Sequence, residues 1–172
     1  MGNIRLYGST SGYTELAPPA VAPDGVLSLP SGVGTLLTAE GGKVLQVVRA
    51  TDTTERVTTS TSFTDASISV TITPQKSTSV ILLIWAFYPV TSSVYPEFQI
   101  TDNSNNALSG AEAASIGDGG GFQTALTLIA YATPATTSAT TYKARFRAPS
   151  GQTVVIRNQL QTGQMYAIEV SA

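Results

Sequence analysis

Apolar side chains recur at every second residue in segment after segment of this chain, and nowhere does a 3.6-residue period persist over ten residues. A period of two puts alternate side chains on opposite faces of a strand, so the pattern commits the chain to sheets. Residues 66–73 are the plainest case: Ile68, Val70 and Ile72 share one face, Ser69 and Thr71 the other, and Pro74 ends the run. Residues 43–50, with Val44, Leu45, Val47 and Val48, read as an earlier strand. The polar stretch 51–64 leaves room for a short strand at 60–63. Residues 79–90 differ, because Ile81, Leu82, Leu83, Ile84, Trp85, Phe87 and Tyr88 put large apolar groups on both faces. Such a strand needs cover on both sides, the domain core on one and a further body such as a neighbouring subunit on the other.

Downstream, residues 95–102 carry Phe98 and Ile100 and run into the turn Asp102, Asn103, Ser104, Asn105, Asn106. Pairing is expected to resume at 107–109, before a loop at 111–121 that ends in Gly117, Asp118, Gly119, Gly120 and Gly121. Strands are expected at 122–131 and 140–148, joined by a soft linker at 133–139, then at 153–157 and 164–171. In 140–148, Tyr142, Ala144 and Phe146 face inward and Lys143, Arg145 and Arg147 outward. In 164–171, Tyr166, Ile168 and Val170 alternate with Met165, Ala167 and Glu169. About eight strands at this spacing predict an all-β fold, an antiparallel β-sandwich or jelly roll. A chain that closes on such a strand resembles the trimeric jelly rolls of the complement and tumour-necrosis-factor type, in which the last strand lies near the threefold axis. That resemblance implies a homotrimer.

Residues 3–38 obey other rules. Pro18, Pro19, Pro23 and Pro30 each remove a backbone donor, and Gly8, Gly12, Gly25, Gly32 and Gly34 weaken any regular element. No helix fits, any strand must be very short, and yet the apolar groups Ile4, Leu6, Tyr7, Tyr13, Leu16, Val21, Val26, Leu27, Leu29, Leu36 and Leu37 need burial. An extended arm over 1–42 is therefore expected, a hinge at 39–43, and a β-domain over 43–172. The arm's natural partner is a surface outside its own fold.

Two stretches carry a further resemblance. Leu16-Ala17-Pro18-Pro19, then Leu27-Ser28-Leu29-Pro30-Ser31-Gly32 and Gly34-Thr35-Leu36-Leu37-Thr38, look like the N-terminal stretches of bacteriophage fibre and minor structural proteins. Residues 47–84 are similar to compact β-domains that recur in such virion proteins. The resemblance implies a structural protein of a virion, made in the host cytoplasm; because the chain is short for a fibre with a shaft, the expectation is a trimeric capsid decoration or cement protein whose arm grips the major capsid protein or another virion protein. A short head or tail fibre that binds a host glycan or receptor is the alternative, and a glycan-degrading enzyme a remote one.

Composition narrows the chemistry. Of 172 residues, 12% are charged, half the usual share of about 25%, while Ser and Thr supply roughly a quarter. With 42% hydrophobic residues the chain is not of disordered composition. A net charge of −2 offers no general attraction to nucleic acid or to an anionic membrane. The stripe Lys143, Arg145, Arg147 is read as the wet face of a half-buried strand rather than a phosphate site. Absence of Cys excludes disulfides and thiolate metal sites. At the N-terminus there is no cationic region leading into an apolar run, hence no expected secretion signal, and the apolar run at 80–88 is too short for a membrane-spanning helix.

Without His or Cys, Ser-His-Asp and Cys-His nucleophiles cannot be built, and none of Lys43, Lys76 and Lys143 stands in an S-x-x-K motif. The eleven acidic residues are dispersed, with Glu97 and Asp102 on opposite faces of one strand and Glu112 and Asp118 in one loop. The turn at 102–106 lacks the Gly and trailing Glu of a calcium loop, so its Asp and Asn are expected to cap their own backbone. The glycine-rich 117–121 lacks the Lys and Ser or Thr of a phosphate loop. No catalytic residue, metal ligand or cofactor is expected. Trp85, Phe87, Tyr88, Tyr95 and Phe98 are read as core, with an exposed carbohydrate platform as the sharper alternative.

Overall fold

A computed structural model of the chain describes residues 4–7, 11–16, 43–91, 95–115, 122–148 and 152–171. Those residues form strands and loops only, so the all-β reading holds. The chain divides into two compact units, Met1–Leu36 and Leu37–Ala172. In the first, β1 (Ile4–Tyr7) and β2 (Tyr13–Leu16) pair antiparallel, with Ile4 opposite Leu16 and Tyr7 opposite Tyr13. This part of the arm is thus a hairpin rather than a single extended strap, and its strands are as short as the glycines and prolines demand. Gly12 enters β2 at φ +78°, a conformation costly to any residue with a Cβ. Val21, Val26, Leu27, Leu29, Leu36 and Leu37 lie outside the described residues, as does the hinge at 39–42.

The second unit begins with β3 (Val44–Asp52), β4 (Glu55–Thr58), β5 (Thr64–Ile72), β6 (Val80–Phe87) and β7 (Pro89–Thr91). It continues through β8 (Glu97–Asp102), β9 (Ala114–Ser115), β10 (Phe122–Gln123), β11 (Leu126–Ala132), β12 (Thr140–Arg147), β13 (Val154–Arg157) and β14 (Gly163–Val170). One body sheet has the order β11-β6-β14-β3 and the other β5-β12-β8-β9. Their inner faces make the core: Ile81, Leu83, Trp85 and Phe87 of β6 meet Ile68, Val70, Phe98, Ile100, Tyr142 and Phe146 from the opposite layer. Trp85 stacks on Phe87 with ring centroids 3.8 Å apart, and Phe98 reaches both rings from the other sheet, at 6.0 and 4.7 Å.

Fourteen strands among the described residues exceed the eight or so expected, because short strands occupy what read as loops. β4, β7, β10 and β13 each lie in a connection from one body sheet to the other, and they pair with one another in the order β10-β7-β13-β4. Four connections at one end of the sandwich therefore form a third sheet that caps it. The connections at 73–79, 103–113 and 133–139 lie at the opposite, open end. No strand forms at 60–63; β4 takes its place, pairing Val57 with Val155 of β13. The continuous run 79–90 breaks at Tyr88, where β6 leaves the body sheet and β7 enters the cap, and Tyr88 O accepts the Arg157 N–H at 2.8 Å. Likewise 122–131 divides into β10 in the cap and β11 in the body.

Two carboxylates are buried with their partners. Asp52, at the end of β3, takes a forked pair of bonds from Arg56 at 2.9 Å each and a third from the Asn158 amide at 2.7 Å. Asn158 lies so close to Gly163 that a Cβ there would stand 2.5 Å from its Oδ1. Glu169, fully buried on β14, accepts from Gln46 Nε2 and from the backbone N–H groups of Gln75 at 2.7 Å and Lys76 at 3.3 Å. It thereby ties β3 and the connection at 73–79 to the last strand.

Burial by itself raises a carboxyl pKa. At Glu169 the Ser79 hydroxyl, the Gln46 amide and the two backbone N–H groups outweigh it and hold the group below its ordinary 4.5. At Asp52, Arg56, Asn158 and the Thr54 N–H do the same, below 3.8. A depressed folded-state pKa contributes stability that is fully present above the unfolded value and is lost as pH falls through the folded one. Thermal denaturation is therefore expected to be insensitive to pH between neutrality and 4.5, with the melting temperature falling steeply below. Substituting Glu169→Gln should flatten that acid limb; an unaltered limb would show that this carboxylate does not contribute to it.

Candidate assembly interface

The outer face of the β11-β6-β14-β3 sheet is where this molecule departs from a solvated sandwich. Cross-strand register aligns its residues in rows. Val47, Ile168, Leu82 and Tyr131 form one row across the four strands. Arg49, Tyr166, Ile84 and Ile129 form the next, and Val44, Val170 and Val80 extend the apolar surface toward the open end. Toward the cap the row Thr51, Gln164, Ala86, Thr127 is polar. Val44, Val47, Ile129 and Tyr131 are 57%, 56%, 54% and 51% exposed, and Leu82, Ile84, Tyr166 and Ile168 between them are half-buried only by their neighbours.

The expectation that β6 is covered on both sides is thus met on the core side, while its other side faces outward within a broad apolar sheet. Four strands about 4.8 Å apart and seven residues long at about 3.3 Å each give a face of roughly 400 Å². That matches the largest apolar patches found on soluble monomers, which are commonly functional, and is about half of the ~800 Å² per partner in a stable protein interface. The single charge in these rows, Arg49, bonds Gln164 Oε1 at 2.9 Å and stands 5.8 Å from the centre of the Tyr166 ring. It remains a cation, so a partner surface that covers it must bring an acceptor or a carboxylate to the donors that Gln164 leaves free.

The other singled-out residues are accounted for locally. Lys143 Nζ donates to Asn103 O at 2.9 Å, Arg145 to Phe63 O at 2.6 Å, and Arg147 to Glu97 Oε2 through two nitrogens at 3.0 and 2.6 Å. Each cation of the stripe has its own partner, and Glu97 is engaged on the face opposite Asp102. Asp102 Oδ1 accepts the N–H groups of Ser104 and Asn106 at 2.8 and 2.9 Å, while Oδ2 takes the Asn106 amide. The turn at 102–106 caps its own backbone, as its composition predicts. Trp85, 1% exposed, is a core residue and not a carbohydrate platform. Residues 116–121 lie outside the described residues. The sequence pattern did not single out the outer sheet face as a unit; its signal was present in the double-sided run at 79–90 and in Tyr166, Ile168 and Val170.

No protein-family model and no curated protein matches the chain. Among solved structures, one titled as the structure of infectious bursal disease virus, Gx strain, is similar over 96% of this chain and 46% of that one, with 15% identity and a TM-score of 0.29. This chain spans less than half the length of that one. A likeness at that score carries no weight as to function.

Proposed function

We propose that this chain is a structural protein of a virion, a bacteriophage capsid decoration or cement protein acting as a homotrimer. The observation that carries the reading is the uncovered apolar face of β11-β6-β14-β3, which has the chemistry of a subunit contact. The face carries one charge, Arg49, which a second copy can accommodate at the edge of the contact, since it stands on the edge strand β3. At roughly 400 Å² the face falls short of the ~800 Å² of a stable interface, leaving part of the contact to the N-terminal arm with Ile4, Leu6, Tyr7, Tyr13 and Leu16. Supporting it further are the alternation of successive long strands between two body sheets, the order that a jelly roll requires, and the resemblance of residues 16–38 to phage structural proteins. Function in this reading is burial: three arms on one trimer bind a capsid lattice with avidity. No catalysis is assigned.

Light scattering on the full chain is expected to give the mass of three 17.8 kDa chains. Removing residues 1–38 is expected to abolish retention on capsids and to leave the strand content of 43–172 intact by circular dichroism. Unchanged capsid binding by the truncated chain would count against the arm as the clamp, and a monomeric full chain against the sheet face as a contact between copies.

A further inference from the structure

At the open end of the sandwich, the loops 107–109 and 133–136 and the ends of β8, β11 and β12 line an open, shallow pocket of about 520 Å³. Its size is ordinary for a small-molecule site, and its walls hold Asp102, Leu108, Tyr131, Pro134, Thr140 and Tyr142. Tyr142, 2% exposed, contributes to the wall, and its hydroxyl finds no hydrogen-bond partner among the described residues. A buried phenol is normally bonded, so an unsatisfied one at a pocket wall marks a place where a ligand atom would be stabilised. Directly across the strand pair stands Asp102, whose Oδ2 accepts one bond and has a lone pair to spare.

We propose that this pocket binds a neutral carbohydrate, with Tyr142 and Asp102 holding adjacent sugar hydroxyls and Leu108 and Pro134 supplying apolar surface at the rim. A sugar hydroxyl both donates and accepts, so one group accepts from Tyr142 while the same or a vicinal one donates to Asp102. Thr133, Thr136 and Thr140 add hydroxyls to the lining. Leu108 and Pro134 offer apolar surface to the C–H faces of a pyranose. The lining contains a carboxylate and no cation, because Lys143 is turned to Asn103 O. The lining itself therefore offers no cation to a phosphorylated, sulfated or carboxylated ligand. Burial, then the charge of Asp102, pushes the Tyr142 phenol up to about 12, so it remains a donor throughout the working pH range.

The test is a titration of the isotope-labelled full chain, monitored by NMR, with the methyl glycosides of glucose, galactose, mannose and N-acetylglucosamine, and with sialic acid as the anionic comparison. At least one neutral glycoside is expected to give saturable shifts at the amides of Leu108, Ser109, Tyr131, Thr133 and Thr140. Tyr142→Phe should weaken that binding about tenfold, the effect of one lost hydrogen bond, without lowering the melting temperature. Thr133→Trp, at an exposed position of the lining outside the apolar sheet rows, should obstruct the pocket with the fold intact and serves if the core variant misfolds. Saturation by none of the neutral sugars, as for a pocket that holds only water, overturns the proposal. So does wild-type affinity in both variants, or a preference for sialic acid.

Discussion

Replacing Val47 and Ile129 together by glutamate is expected to yield a folded, monomeric chain. Both side chains are more than half exposed, and they stand on β3 and β11, the two edge strands of the apolar sheet face. In an isolated subunit each carboxylate reaches water, and exposed substitutions of this kind cost within about 0.5 kcal/mol. Against a second copy of the face each loses its hydration, and the one cation of these rows, Arg49, can pair with only one of them. Stripping a charge of water costs several kcal/mol, so the pair cancels much of the roughly 10 kcal/mol that about 400 Å² of apolar contact supplies at about 25 cal/mol per Å², and what is left does not cover the cost of association. Scattering should therefore report a fall from the mass of three chains to that of one, with strand content and melting temperature little changed. A double variant that keeps the parental mass would remove this face from any contact between copies.

Trp85→Ala is expected to cause the largest loss of stability from a single substitution in the sandwich. The indole is 1% exposed, lies 16° from coplanar with Phe87, and meets Phe98 edge-on at 70°. It thus joins the two body sheets through three rings. Truncating a buried tryptophan costs about 3–5 kcal/mol, a large share of the roughly 5–15 kcal/mol that a domain has in total. The measurement is the urea midpoint at unchanged slope. Trp85→Phe gives the contrast: the indole N–H has no partner among the described residues, so this change removes an unsatisfied donor along with some volume. It should cost far less than the alanine variant. Equal losses would mean that the indole N–H, and not the ring packing, is what matters at this position.

Legibility of the fold in the sequence depended on how each strand is wetted. β5 was plain because Ala66, Ile68, Val70 and Ile72 are buried while Ser67, Ser69 and Thr71 face water. β12 was plain for the same reason, with three cations marking its outer side. β14 inverts the rule: Met165, Ala167 and Glu169 point to the core, and the more hydrophobic set Tyr166, Ile168 and Val170 points outward. Hydrophobicity alone would have turned this strand over, and only an apolar outer face makes the observed phase intelligible. β4 gave no signal, since Val57 is its one apolar residue and its buried residue is Thr58. Its place is set by pairing with β13 and not by its own pattern. The pocket was invisible for a different reason: its walls come from three separate stretches, and the want of a partner for the Tyr142 hydroxyl exists only once those stretches are folded together.

The cap sheet has an evolutionary corollary. A connection whose backbone is hydrogen-bonded to its neighbours has no freedom to lengthen, so insertions between β3 and β5, or between β12 and β14, would break pairings on which adjacent connections also rely. Diversification among descendants of this chain is thereby channelled to the far pole of the sandwich, and there to 133–139, since Glu169 holds 73–79 and backbone bonds to Ile100 and Tyr131 hold 103–113.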